Sequence, residues 1–166
     1  MLNRSIKRIL LCLIIGFLGF SGTIIGQTEY YVRLSGSGSG TSFSDAFGDL
    51  EQALSVATAG DKIYVATGTY KPSQQYNSNT GATSTANVRL RTFKIPDGVE
   101  VYGSFSGAES GTIDQSVLDG RNFTANETIL SGDFNDDDVI SGSGATLSIT
   151  GNSENVLHVI LTIGVS

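Results

Sequence analysis

The stretch that decides the fold lies at residues 50–70, and it reads Leu50-Glu-Gln-Ala-Leu-Ser-Val-Ala-Thr-Ala-Gly-Asp-Lys-Ile-Tyr-Val-Ala-Thr-Gly-Thr-Tyr70. Its first half repeats apolar residues at helical spacing and stops at Gly60, a residue favoured just after a helix. Upstream, Ser42 precedes Asp45 by three positions, as in a capping box. The second half of the stretch 50–70 contains Lys62–Ala66, which is rich in aromatic and β-branched residues and predicts a strand. The sequence therefore predicts one short amphipathic helix that leads into a strand.

Short strands and turns are predicted on both sides of this stretch. A first strand is predicted at 30–34, and five further segments, at 91–95, 99–105, 128–131, 145–149 and 156–160, carry the same signals. The strand centres Ile63, Val101, Ile129 and Leu157 follow one another at intervals of 38, 28 and 28 residues. Such a long repeat is typical of stacked coils rather than of hairpins. The polar segment 72–87 reads as a surface insertion.

Composition excludes several classes of function. The 166 residues include one His and one Cys, which is too few for a zinc site built from three or four such ligands or for a disulfide framework. The net charge is −6, from 10 basic and 16 acidic side chains. Nucleic-acid binding depends on lysine and arginine that neutralise phosphates, so we predict no nucleic-acid partner.

The N-terminus has the pattern of a secretory signal peptide. A basic segment containing Arg4, Lys7 and Arg8 precedes twelve apolar residues, Ile9–Phe20, and small residues follow. Twelve residues are fewer than the roughly 20 that span a bilayer, although a retained anchor helix is the alternative. We predict a signal peptide at 1–26, a mature chain from residue 27 and no membrane span after cleavage. The mature chain then has no cysteine, and its predicted location is secreted, at the cell surface or on the outer membrane.

Several of these motifs together resemble a known family. They are Tyr30-Tyr-Val32, the Ala53-Leu-x-x-Ala57 helix, Gly60-Asp-x-Ile63, Gly68-Thr-Tyr70 and the block Gly98-Val-Glu-Val-Tyr-Gly-Ser-Phe105. In this arrangement the chain resembles the N-terminal region of bacterial right-handed parallel β-helix proteins, the pectate-lyase-like secreted and surface proteins. The resemblance covers about residues 30–160. It implies a mainly β fold, namely the start of a right-handed parallel β-helix with one N-terminal capping α-helix.

The same resemblance sets the expected function. It implies a structural or binding role towards a carbohydrate or cell-surface polymer, and the alternatives are the N-terminal part of a polysaccharide lyase or hydrolase and an adhesin-like passenger domain. Residues 27–166 would form the cap and first coils, and the apolar run 156–166 would leave the last coil uncovered. We therefore expect a truncated piece of a longer protein that self-associates through its open C-terminal end.

The densest chemical feature is Asp133-Phe-Asn-Asp-Asp-Asp138, with four carboxylates and one amide in six residues. Asp133, Asn135 and Asp137 alternate as in a calcium loop, and oxygen ligands of this kind suit Ca²⁺. The EF-hand pattern fails, because Asp138 and Gly144 stand where it requires glycine and glutamate. Two interpretations stay open, a non-EF-hand calcium site and a solvated acidic turn. No other cofactor is predicted.

One tyrosine and several basic residues complete the candidates. Tyr76, inside the polar insertion, is the predicted carbohydrate contact. No residue is predicted to be catalytic, although a lyase of the resembled family would need a base, for which the chain offers Lys71, Arg89, Arg91, Lys94 and Arg121. Arg91 and Lys94 flank Phe93 and are expected to face a groove. His158 is expected in the core or at the rim of an apolar strand.

Overall fold

The computed structural model of the chain describes residues 26–76, 83–84 and 86–163. The predicted signal peptide lies outside the described residues, apart from Gly26. The elements in chain order are β1 Glu29–Val32, a 3-10 turn Phe43–Asp45, α1 Leu50–Val56, β2 Lys62–Ala66, β3 Gly68–Tyr70, β4 Gln75–Tyr76, β5 Thr83–Ser84, a 3-10 turn Val88–Leu90, β6 Phe93–Pro96, β7 Glu100–Phe105, α2 Gln115–Asp119, β8 Thr128–Leu130, β9 Val139–Ser141, a 3-10 turn Gly144–Thr146, β10 Ser148–Thr150 and β11 Ile160–Ile163.

A three-stranded parallel sheet in the order β1-β2-β7 forms the centre of the fold. Its middle strand is buried on both faces, because Ile63 and Val65 pack into one apolar cluster while Tyr64 and Ala66 pack into another. Helix α1 covers the first cluster with Leu50, Ala53 and Leu54, and Phe43, Ile113 and Leu118 belong to the second. Burial on both sides is what a parallel sheet generally needs.

Asp61 ties the start of this sheet to the end of α1. It is 3% exposed, and its Oδ1 accepts a hydrogen bond from the Thr28 N–H at 2.8 Å. Its Oδ2 accepts from the Thr58 N–H at 2.8 Å and from the Thr58 hydroxyl at 3.0 Å. These donors hold the pKa of Asp61 below its ordinary value even though burial opposes ionisation. A buried carboxylate is tolerated here because it is hydrogen-bonded to nearby donors.

The predicted β-solenoid is wrong. The described residues form five small sheets, one of three strands and four of two, and two of the five are antiparallel. Val101 does pair with Ile63, but Ile129 pairs with Thr69 in the separate sheet β3–β8, and Leu157 lies outside any strand and is 56% exposed. The four repeat positions therefore do not stack in one continuous sheet. The fold is a small mixed one of short strands and helices.

The predicted local elements have mixed outcomes. The strand at Lys62–Ala66 is confirmed at both ends, and Ser42 caps the turn Phe43–Asp45 through its oxygen. The single predicted helix is in fact this 3-10 turn followed by α1, whose cap is Asp49. Helix α2 has too few residues to show periodicity, and the sequence did not predict it. His158 is exposed and lies in an irregular segment, so its predicted core or rim position in a strand is wrong.

Candidate functional site

The first candidate site is a cleft of about 710 Å³ between α1 and β6, which we name the Tyr76 cleft. Its polar lining is supplied by three parts of the chain and includes Asp49, Gln52, Gln74, Tyr76, Thr92 and Lys94. Apolar walls come from Leu54 and Pro96. A concave surface with a few converging polar groups and an apolar wall is the usual form of a small-molecule site.

Glu51 fixes one wall of the Tyr76 cleft. Its Oε1 accepts hydrogen bonds from the Ser73 N–H at 2.9 Å and the Gln74 N–H at 2.8 Å, and its Oε2 accepts from the Ser73 hydroxyl. These bonds hold the segment that leads into β4 against the first turn of α1. Since both oxygens are engaged, Glu51 positions the wall. Gln52 Oε1 also accepts a hydrogen bond, from the Gly48 N–H at 3.1 Å, so the amino group of Gln52 and the amide of Gln74 are the groups offered to a ligand.

Tyr76 lies between two concavities. The ammonium of Lys94 is 4.4 Å from the centroid of its ring, a distance at which a cation is attracted to the ring face. On its other side Tyr76 borders a smaller cavity of about 150 Å³ whose lining includes Arg89, Leu157 and His158. The structure thus brings the sequence-predicted contact Tyr76 together with Lys94, one of the basic residues expected to face a groove.

Three other basic candidates, Arg91, Lys71 and Arg121, make their contacts outside the Tyr76 cleft. The Arg91 guanidinium lies 5.3 Å from the ring centroid of Phe134. Lys71 forms an ion pair with Asp136 at 2.7 Å and donates to the Phe134 carbonyl at 3.1 Å. Arg121 lies over the rings of Tyr102, Phe105 and Phe123.

The acidic loop forms a second candidate site, a possible metal centre. Carboxylate oxygens of Asp133, Asp137 and Glu154 lie within 4.8 Å of one another. Two of these residues are among the three predicted ligands. Glu154 is the addition, and since it stands 17 residues after Asp137 no local spacing in the sequence indicates it. Asn135 contributes a backbone N–H to Asp133 Oδ1 at 3.2 Å, and the role of its side chain stays a prediction.

Backbone donors organise the loop around Asp133. Its carboxylate accepts hydrogen bonds from the Asp136 N–H at 2.7 Å and the Asp138 N–H at 3.3 Å, in addition to the one from Asn135. Desolvation alone would raise the pKa of Asp133, but these N–H donors outweigh it and hold the pKa below its ordinary value. Asp133 is therefore a stable anion that fixes the turn.

The pKa of Asp137 is shifted in the opposite direction to that of Asp133. Desolvation, followed by the nearby negative charges of Glu154 and Asp133, raises the pKa of Asp137. Glu154 Oε1 is shielded from solvent, and no donor of the described residues reaches it. Carboxylates this close repel one another, and a shared proton or a bound cation relieves the repulsion. The arrangement is therefore chemically suited to a hard cation such as Ca²⁺, which takes carboxylate and carbonyl oxygens.

Comparisons with known proteins leave the family open. No family model, no curated protein and no solved structure matches the chain. Within the described part of the chain, no helix has the length and apolarity needed to cross a membrane. A function for the chain therefore has to follow from the geometry of the Tyr76 cleft and the acidic loop.

Proposed function

We propose that the protein is an exported binding module for a carbohydrate or another cell-surface polymer, and that the Tyr76 cleft is its binding site. The observation that carries the proposal is the meeting of Tyr76, Lys94 and the amides of Gln52 and Gln74 in one cleft of about 710 Å³. Export is supported by the N-terminal pattern of a basic segment followed by an apolar one and then by small residues.

The chemistry of the cleft fits a ligand rich in hydroxyl groups. Amide, hydroxyl and ammonium groups present both donors and acceptors, which is what a polyhydroxylated ligand requires. Tyr76 adds a flat apolar surface with a polar hydroxyl at its end, and such side chains supply contact area at low entropic cost. The walls are held by backbone hydrogen bonds to Glu51, so the site is formed before a ligand arrives.

Replacing Tyr76 with alanine is expected to weaken binding by about fivefold or more, because an aromatic contact at the centre of a site typically supplies over 1 kcal/mol. Isothermal titration calorimetry against a panel of neutral and uronic-acid polysaccharides measures this directly. Phe123→Ala is the matched control, since Phe123 is 63% exposed and does not line the cleft. Equal affinities of the wild type and the Tyr76 variant would contradict this site.

The same polymers distinguish the two alternative functions. A lyase or hydrolase would release unsaturated products or new reducing ends on incubation, whereas a binding module leaves the polymer intact. An adhesin-like passenger would retain whole cells that display the polymer. Turnover that Tyr76→Ala abolishes would replace the binding role with an enzymatic one at the same cleft.

We also propose that the acidic loop binds Ca²⁺ through Asp133, Asp137 and Glu154. Calcium is expected to raise the melting temperature of the wild type, because a ligand at 100 times its dissociation constant stabilises the folded state by about 2.7 kcal/mol. Glu154→Gln should lose most of this shift, and Glu127→Gln, an exposed carboxylate outside the cluster, should keep it. Differential scanning calorimetry with and without CaCl₂ tests this, and identical shifts in all three proteins would contradict the site.

The predicted self-association remains a proposal. Large apolar side chains are exposed along the C-terminal third, among them Val139, Ile140, Leu147, Leu157 and Ile160. Exposed apolar surface of this kind favours contacts between copies. Sedimentation of the protein over a range of concentrations measures it.

A further inference from the structure

Two rows of side chains, one charged and one aromatic, cross the central sheet from β1 through β2 to β7. In register across the three strands lie Glu29, Lys62 and Glu100, so the charges alternate from strand to strand. Two residues further along lie Tyr31, Tyr64 and Tyr102, with ring centroids 5.3 and 5.8 Å apart. Cross-strand pairs of opposite charge and of aromatic rings each stabilise a sheet.

Both rows end at β7. Lys62 has a glutamate on either side, whereas Glu100 has a cationic neighbour only on its β2 side. Glu100 is exposed, and its Oε2 accepts a hydrogen bond from the Tyr102 hydroxyl at 2.7 Å. Among the described residues, β7 pairs with a strand only on the side of β2. Within the part of the chain that the structure describes, no lysine or arginine forms an ion pair with Glu100, and the Arg121 guanidinium lies instead over the ring of Tyr102.

The backbone of this edge is available for pairing over a short stretch. Glu100 directs its N–H to the Asp61 carbonyl at 3.0 Å, and because these groups alternate along a strand, Val101 directs its own N–H and C=O outward. Further along, Arg121 Nη1 donates to the Gly103 carbonyl at 2.8 Å, and the Ser104 N–H donates to Thr128 Oγ1 at 2.9 Å. The open part of the edge is thus Glu100–Tyr102.

We infer that the edge Glu100–Tyr102 is a docking site for an extended segment of a partner polypeptide that carries lysine or arginine two positions before an aromatic residue. Such a segment adds a parallel strand, with its cation opposite Glu100 and its backbone on Val101. Its aromatic ring lies beside Tyr102, against the Arg121 guanidinium that is 5.5 Å from the centroid of the Tyr102 ring. Strand addition of this kind takes affinity from main-chain hydrogen bonds and specificity from alternate side chains. A second copy does not fit in parallel register through β7, because Glu100 would then face Glu100, and like charges directly opposite are destabilising.

A synthetic peptide tests the inference. The probe is Asp-Lys-Ile-Tyr-Val-Ala-Thr-Gly, the sequence of residues 61–68, with blocked ends, and the control replaces its lysine with glutamate. Titrated into the ¹⁵N-labelled protein, the lysine peptide is expected to shift the amide signals of residues 100–103 saturably. The glutamate peptide is expected to bind about 3-fold more weakly or worse, given the size of cross-strand charge pairs.

Two protein variants make the test specific to this edge. Glu100→Lys should reverse the order of the two peptides, which a merely sticky surface would not do. Val101→Pro removes the outward N–H and should abolish binding of both, and proline is tolerated at an edge whose N–H faces solvent. If Val101→Pro fails to fold, the inference is still tested by whether Glu100→Lys binds the glutamate peptide more tightly than the lysine peptide. Absence of saturable shifts at β7 with millimolar lysine peptide, or equal binding of both peptides to the wild type and to Glu100→Lys, would overturn the inference.

Discussion

Replacement of Phe105 with alanine is expected to lower the free energy of unfolding by about 3–5 kcal/mol, the usual range for a fully buried phenylalanine. Phe105 is completely shielded from solvent, and its ring lies 5.5 Å from Phe43 and 5.4 Å from Tyr64, centroid to centroid. The substitution leaves a cavity in the second apolar cluster, where these three rings meet. Urea unfolding followed by circular dichroism measures the loss.

Phe123→Ala is the matched control for this experiment. Phe123 is 63% exposed, so its removal is expected to change the unfolding free energy by less than about 1 kcal/mol. A loss for Phe105→Ala as small as that for Phe123→Ala would show that the second apolar cluster is not packed as described.

Replacement of Asp61 with alanine is expected to cost about 3 kcal/mol or more. The substitution leaves the N–H groups of Thr28 and Thr58 without their acceptor, and hydrogen bonds to a charged group are each worth about 1.5–3 kcal/mol. The structure links β1, the end of α1 and β2 through this one carboxylate. Asp97→Ala, in an exposed turn, is the control and should be nearly neutral.

The effect of Asp61 also depends on pH. Because the Thr58 and Thr28 donors lower the pKa of Asp61 in the folded state, its contribution is present in full above the ordinary aspartate pKa of about 3.9. The contribution is lost as the pH falls through the lower folded-state value. The difference in unfolding free energy between the wild type and Asp61→Ala should therefore shrink below about pH 4. A difference that is constant from pH 7 to pH 3 would contradict this role.

Local signals in the sequence predicted local structure well. Lys62–Ala66 is a strand as expected, because its aromatic and β-branched residues are buried on both faces of the sheet. Gly60 was expected directly after the helix, but the helix ends at Val56 with Ala57 as its cap, and the φ of 94° at Gly60 belongs to the turn that the Asp61 N–H closes on the Thr58 carbonyl. These features depend on neighbours a few residues away, so the sequence alone contains the information.

The intervals between the predicted strand centres do not determine which strands pair with each other. The interval of 28 residues predicted that Ile129 would stack after Val101, yet Ile129 pairs with Thr69. Residue counts measure the length of the connection, whereas pairing is decided by which apolar faces the strands can bury together. For this reason several strands were located, among them β2 and β7, while the solenoid prediction failed. The strand predicted at 156–160 is also wrong, because the chain is irregular up to Ile160.

Each of the two candidate sites was also predicted only in part from the sequence. Tyr76 was chosen because it lies in the polar insertion, and the structure places it on the cleft of about 710 Å³. The partners Gln52 and Lys94 come from distant parts of the chain, and only the fold brings them to it. Glu154 reaches Asp133 and Asp137 across a hairpin made of β9 and β10, a pairing with no counterpart in the calcium-loop spacing.

The central claim is that the Tyr76 cleft binds a carbohydrate polymer, and the most direct test is a map of the bound state. Oligosaccharides from the polymers that calorimetry selects are titrated into the ¹⁵N-labelled protein, and amide shifts are assigned. We predict saturable shifts at residues 73–76 and 92–94 and at Gln52, with none at the exposed Phe123. Saturable shifts confined to other surfaces, or none with any polymer of the panel, would contradict the proposed function.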